Sequence, residues 1–253
     1  MKRALRRWGI RGDGFPPFQW RSFARPASAI LCVAFFLQGP RAVGAKVGRE
    51  EGQFRIYISG KEIGTEKFVI VTSGDSASST SFVQFRNPGD KHQRVQFETQ
   101  LNMDAHYVPK SYELKSDVDG QKGTIVGTFT PNQAIFQYSG APSGRKSGLM
   151  VGEKFTLLDT NIFHHFIFIA RLFEFDHGDK PQQFEVAIPQ ESDEGFLKVT
   201  ELKRETITVR GKKIDAHHLR ADSGAMVVDL WADNQRILYK ISVQSKEIEV
   251  VRD

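Results

Sequence analysis

The sequence predicts a mainly β protein: a strongly curved antiparallel sheet, or open half barrel, of about 11–13 strands around one buried Phe-rich helix near residues 160–173. Three observations predict it. Apolar and polar residues alternate with period two over many short stretches, turn residues recur between them, and one long segment is apolar without interruption.

The alternation is clearest at Val95–Met103, where Val95, Phe97, Thr99, Leu101 and Met103 share one face and Arg94, Gln96, Glu98, Gln100 and Asn102 the other. One face meets a core and the other meets water, which favours antiparallel pairing. Gln53–Ser59 alternates in the same way and runs into Gly60-Lys61, a tight hairpin turn. Further strands are expected at 79–85, 111–118, 124–130, 134–138, 183–188, 196–203, 206–209, 214–221, 226–231, 237–243 and 248–251. Turn chemistry separates them at Asn87-Pro88-Gly89-Asp90, Asp119-Gly120, Pro131-Asn132, Gly211-Lys212 and Asp233-Asn234. The serine-rich stretch 73–81 and the Gly/Ser/Pro stretch 139–147 read as solvent loops or edges.

Leu157–Phe175 (LLDTNIFHHFIFIARLFEF) departs from this pattern and carries five Phe residues, at 163, 166, 168, 173 and 175. It is longer than a typical strand, and Asp159, Thr160 or Asn161 would cap a helix there. A helix apolar on every side must be covered on several sides, which places it inside the curve of the sheet or across its mouth.

The N-terminal 45 residues read as a secretory signal, leaving 46–253 as one β-rich domain. Basic residues fill the start, the apolar run Ala27–Leu37 follows, and Val43 and Ala45 supply a small-residue cleavage site. The apolar run is too short to span a bilayer of roughly 30 Å, so no membrane-spanning segment is expected in the mature chain, although membrane contact is compatible with it. This leader carries eight Lys/Arg and one Asp, a net of +7 in a chain of +5, so residues 46–253 come to −2. The basic character belongs to the leader, and a nucleic-acid partner is not expected. Cys32 lies there too, so the mature chain holds no thiol and must rely on its core. The expected location is the bacterial periplasm or the exterior.

The opening hairpin Phe54–Phe68 (FRIYISGKEIGTEKF) and the closing run from Gly211–Ala216 through Val228–Asp233 (VDLWAD) to Ile237–Ile241 carry a resemblance. The chain resembles uncharacterised bacterial cell-envelope families, domains of unknown function, that share the open β-barrel of the lipoprotein carriers LolA and LolB. That resemblance implies compartment, shape and the handling of lipidic ligands. It transfers no functional residue.

No catalytic motif stands out. There is no Gly-x-Ser-x-Gly elbow, no mature cysteine and no phosphate-cradling loop. His164-His165 and His217-His218 are the candidates for metal binding or acid–base chemistry, one of each pair meeting Asp159 or Glu174. Neither pair has ligand spacing, so no metal or cofactor is expected; one histidine of each pair is expected buried and the other solvated. Phe163, Phe166, Phe168, Leu172 and Trp231 are the candidate ligand-binding residues, because apolar pockets are lined by such side chains. They either line a pocket or fill the interior. Three functions follow: a carrier of a lipid or other apolar small molecule, an interaction module that offers sheet edges to an envelope protein, and a His/carboxylate enzyme.

Overall fold

The computed structural model describes residues 48–87, 93–140, 144–175 and 180–253. The expected signal at 1–45, most of the turn at 87–90 and part of the 139–147 stretch lie outside the described residues. Fifteen strands form one sheet. They are β1 (Gly48–Ile58), β2 (Lys61–Ser73), β3 (Ser76–Arg86), β4 (Arg94–Asp104), β5 (Pro109–Val118), β6 (Gln121–Thr130), β7 (Gln133–Gly140) and β8 (Arg145–Met150), followed by β9 (Phe155–Leu157), β10 (Gln182–Ile188), β11 (Asp193–Val209), β12 (Lys212–Asp222), β13 (Val227–Ala232), β14 (Leu238–Val243) and β15 (Ile248–Arg252).

The spatial order runs β8 to β1, then β15 down to β9, so β1 and β15 pair in the middle, with Phe54 opposite Arg252 and Ile58 opposite Ile248. Every neighbouring pair is antiparallel except β9–β10. The expected mainly β, curved and open architecture is what the chain adopts. The strands outnumber the expectation because Lys61–Ser73, Arg145–Met150 and Phe155–Leu157 each form one, while 196–203 and 206–209 merge into β11 across a register irregularity between Glu201 and Lys203.

The serine-rich stretch is corrected by the structure. It is not a loop: β2 and β3 pair from Gly64–Phe85 to Ser73–Ser76, and Ser79 and Ser81 face the interior, buried. Their hydroxyls find partners inside, as described below, which is what lets small polar residues line a core.

Alternate residues of the strands meet in one core: Phe54 and Ile56 of β1, Phe68 and Ile70 of β2, Val83 of β3 and Leu101 of β4 among them. Into it lies the helix α1 (His165–Leu172), shorter than expected and buried from His165 to Ala170. His164, not Asp159–Asn161, is its N-cap, and no side chain caps it locally. The reason is that Asp159 is committed elsewhere, while a carboxyl group from β2 reaches the N–H groups that precede the helix. At the other end Phe173 is extended and donates its N–H to the Ile169 carbonyl, and Arg236 donates to the carbonyl of Arg171. Among the described residues no helix is long and apolar enough to cross a membrane.

Strands β8 and β9 are the two edges, and no ladder joins them. Side chains bridge the seam instead. The Tyr138 hydroxyl donates to the Pro189 carbonyl at 2.7 Å, Arg145 donates to the Ser192 hydroxyl, and the Gly152 N–H donates to the Glu185 carboxylate at 2.9 Å.

The close approach of β2 to β3 demands a glycine at position 64. A Cβ there would stand 2.1 Å from the Gln84 carbonyl oxygen and 2.4 Å from the Phe85 Cβ, both fixed by the ladder. Gly64→Ala is expected to lower stability by about 2–4 kcal/mol through backbone displacement. A urea midpoint equal to that of the parent protein would refute this.

Candidate functional site

The interior holds a buried polar network beneath the helix N-terminus. Glu66, on β2, is fully buried because the alternation of that strand turns it inward between Gly64 and Phe68. Its Oε2 accepts the backbone N–H groups of Phe163 (2.8 Å) and His164 (3.1 Å). Its Oε1 lies 2.6 Å from His164 Nδ1, and His164 Nε2 lies 3.1 Å from the Ser79 hydroxyl. Ser81 bonds Thr99 at 2.8 Å and also interacts with Glu66.

Burial pushes the Glu66 carboxyl up to about 8, against the lowering effect of its backbone hydrogen bonds, and pushes His164 down to about 3. At neutral pH the pair is therefore two neutral groups. One proton arrangement satisfies every atom: Glu66 Oε1–H donates to Nδ1, Nε2–H donates to Ser79, and Oε2 accepts both amides.

A second branch starts at Asp159. The Tyr112 hydroxyl donates to its Oδ2 at 2.7 Å, and the N–H groups of Thr160 (3.0 Å) and Gln190 (2.9 Å) donate to its Oδ1. The Asp159 N–H donates to His165 Nδ1 at 3.2 Å. The Thr160 hydroxyl reaches Glu191 at 3.2 Å. Burial raises Asp159 to about 6 and Glu191 to about 7, and pushes His165 well below its usual range.

The Glu66–His164–Ser79 order has the connectivity of an acid–base–nucleophile triad. The surroundings point to a clasp instead. All three side chains are sealed from solvent, and Ser79 lies within β3 between two ladders, opposite Ile70 and Leu101, where free amides for an oxyanion are lacking. The chemistry it performs is to fasten the segment before α1 to the sheet.

The sequence-predicted residues separate into two groups. Phe163, Phe166 and Phe168 lie together in the core, and Leu172 is half-buried at the helix end. Trp231 is not with them. Val228, Leu230 and Ala232 belong to the core, and Trp231 alternates to the other face. There its indole N–H donates to Glu205 at 2.9 Å, His218 stacks on it at 4.4 Å, and the Lys240 ammonium sits 5.3 Å above its ring.

The histidines are corrected as well: both members of each pair are buried. His217 Nδ1 contacts Glu201 at 2.6 Å, its Nε2 contacts Asn234 at 2.8 Å, and Phe175 stacks on it at 3.9 Å. His218 stands 3.1 Å from both Glu205 and Asp229 on the outer face, and neither contact is aligned as a hydrogen bond. Among the described residues, no three His, Cys, Asp or Glu side chains are grouped to hold a metal ion. Sequence reasoning missed Glu66, Ser79, Tyr112 and Glu191. The signal for Glu66 was its phase, an acid at an inward position between Gly64 and Phe68.

No protein-family model matches the chain, and no curated protein matches it. Among solved structures it is similar to a β-barrel-like protein of a domain of unknown function, DUF1849, from Brucella abortus, with a TM-score of 0.54 and 11% identity over 80% of this chain and 95% of that one. What the two share is the β-barrel-like fold.

Proposed function

We propose that this chain is an exported protein of the bacterial envelope that binds an apolar, lipid-like ligand inside its open barrel, in the manner of the LolA and LolB carriers. The observation that carries this reading is the seam. An aromatic and aliphatic interior, occupied by a Phe-rich helix, is enclosed by a sheet whose edges β8 and β9 are joined by side chains and not by ladder bonds. Widening that seam exposes apolar lining without breaking a strand pair, which gives a lipid a low-barrier way in. Partner binding through sheet edges has less support, because β9 is wholly buried and each edge lies next to the other half of the sheet. Export rests on the leader, 1–45.

The full chain expressed in a bacterial host is expected to appear in the periplasm with its N-terminus just past Ala45. It is expected to yield lipids on organic extraction and, once stripped of them, to release a bound fluorescent anthracene probe on addition of fatty acid. Trp231 emission should stay constant during that titration, since the ring lies on the outer face. A protein with no extractable lipid and no probe displacement overturns the reading.

A further inference from the structure

His165 differs from its neighbour in one respect. Both ring nitrogens of His164 are engaged, one by Glu66 and one by Ser79. In His165, Nδ1 accepts the Asp159 N–H, so in the neutral ring the proton sits on Nε2. That Nε2–H is fully buried and has no hydrogen-bond partner among the described residues. Its surroundings offer no acceptor in waiting: the Tyr112 ring lies edge-on at 5.9 Å, the His164 ring at 4.6 Å and the Phe168 ring at 6.3 Å. The Tyr112 hydroxyl is committed to Asp159, whose own oxygens are committed to Tyr112, Thr160 and Gln190. A buried donor left unmade costs about 1–3 kcal/mol, so its retention in an aromatic interior calls for an acceptor that arrives from elsewhere.

We propose that the Nε2–H of His165 is the polar anchor of the interior ligand site, donating to an uncharged carbonyl oxygen, such as that of an ester, on an otherwise apolar ligand. The inference rests on the interior-ligand reading and specifies its chemistry. The class follows from charge. Three carboxyl groups, the buried Glu66 and Asp159 and the half-buried Glu191, lie in the two hydrogen-bonded branches around the start of α1, and the imidazole is a neutral donor with no cation beside it. An ionised head group would enter a dry site already held by acids, whereas a carbonyl accepts one hydrogen bond and brings no charge. Tyr112 and Phe168 flank the ring and would border the adjoining hydrocarbon.

The test compares three probes of similar length on the stripped full chain: methyl oleate, ionised oleate and a saturated hydrocarbon. Methyl oleate is expected to bind about tenfold more tightly than either of the others. In wild-type protein the 15N and 1H resonances of His165 Nε2–H should shift on adding methyl oleate and not on adding hydrocarbon. His165→Phe should remove the ester preference, so that methyl oleate binds no more tightly than the hydrocarbon. If the variant does not fold, the wild-type resonances decide alone. Equal binding of the three probes with an unmoved Nε2–H, or an Nε2–H in persistent contact with a buried water, overturns the anchor and leaves the interior reading standing. Binding of none of them overturns both.

Discussion

Glu66→Gln is expected to fold and, at neutral pH, to be more stable than the parent protein by on the order of 2 kcal/mol, whereas Glu66→Ala is expected to lose about 3–5 kcal/mol. A glutamine reproduces the neutral carboxyl group by shape: its oxygen accepts the Phe163 and His164 amides and its NH2 donates to His164 Nδ1. Alanine leaves two amides and an imidazole unpaired in the core. The pH dependence gives the sign. Burial holds the folded Glu66 at about 8, against 4.5 in the unfolded chain, so the unfolded state releases this proton first. The parent protein therefore loses stability relative to Glu66→Gln as pH rises from 4.5 to about 8, and the gap stops growing above that. His164 works in the opposite direction: held at about 3 against 6.5, it costs stability as pH falls below 6.5, in both proteins alike. Asp159 and Glu191, raised to about 6 and 7, leave the variant a shallower alkaline decline of its own. Urea midpoints at pH 5, 7 and 8.5 measure this. A glutamine variant as damaged as the alanine one would show that the ionised carboxylate is what the clasp needs.

Phe168→Ala is expected to destabilise the protein by about 3–5 kcal/mol, the range for a large aromatic removed from a packed core. Phe168 is fully buried on α1, and its ring lies 5.4 Å from that of Tyr107 and close to those of His164 and His165. The control is Phe196→Ala on β11, where the side chain is 55% exposed and the expected change stays within about 0.5 kcal/mol. Chemical denaturation of the two variants side by side separates burial from hydrophobicity as the cause. Similar losses would mean that α1 contributes little to holding the sheet together.

Local pattern made most of the architecture legible. Val95–Met103 turns its alternate residues into the core just as the period-two reading requires, and the middle of the Phe-rich run, His165–Leu172, is a helix buried from His165 to Ala170. Phase was legible for Trp231 as well. Val228 and Leu230 occupy one face of β13 and Trp231 takes the other, so alternation and not aromatic character decides where the residue points. The polar network was not legible, because its members meet across the barrel. Glu66 and His164 are 98 positions apart and Ser79 and His164 are 85 apart, a separation over which no spacing rule operates. At Ser79 and Ser81 the expected strand forms but the solvent-loop reading of the same serines fails, because their hydroxyls serve a buried histidine and carboxyl.

The pairing of β1 with β15 makes this sheet late to finish. Strands β2 to β8 can form from the N-terminal side as successive hairpins, and β10 to β14 likewise, but the ladder that makes the two halves one sheet forms only when residue 252 finds residue 54. A contact of that sequence separation closes last, since its loop entropy must be overcome before any bond rewards it. A chain threaded through a membrane N-terminus first would thus leave this central ladder open until β15 had crossed.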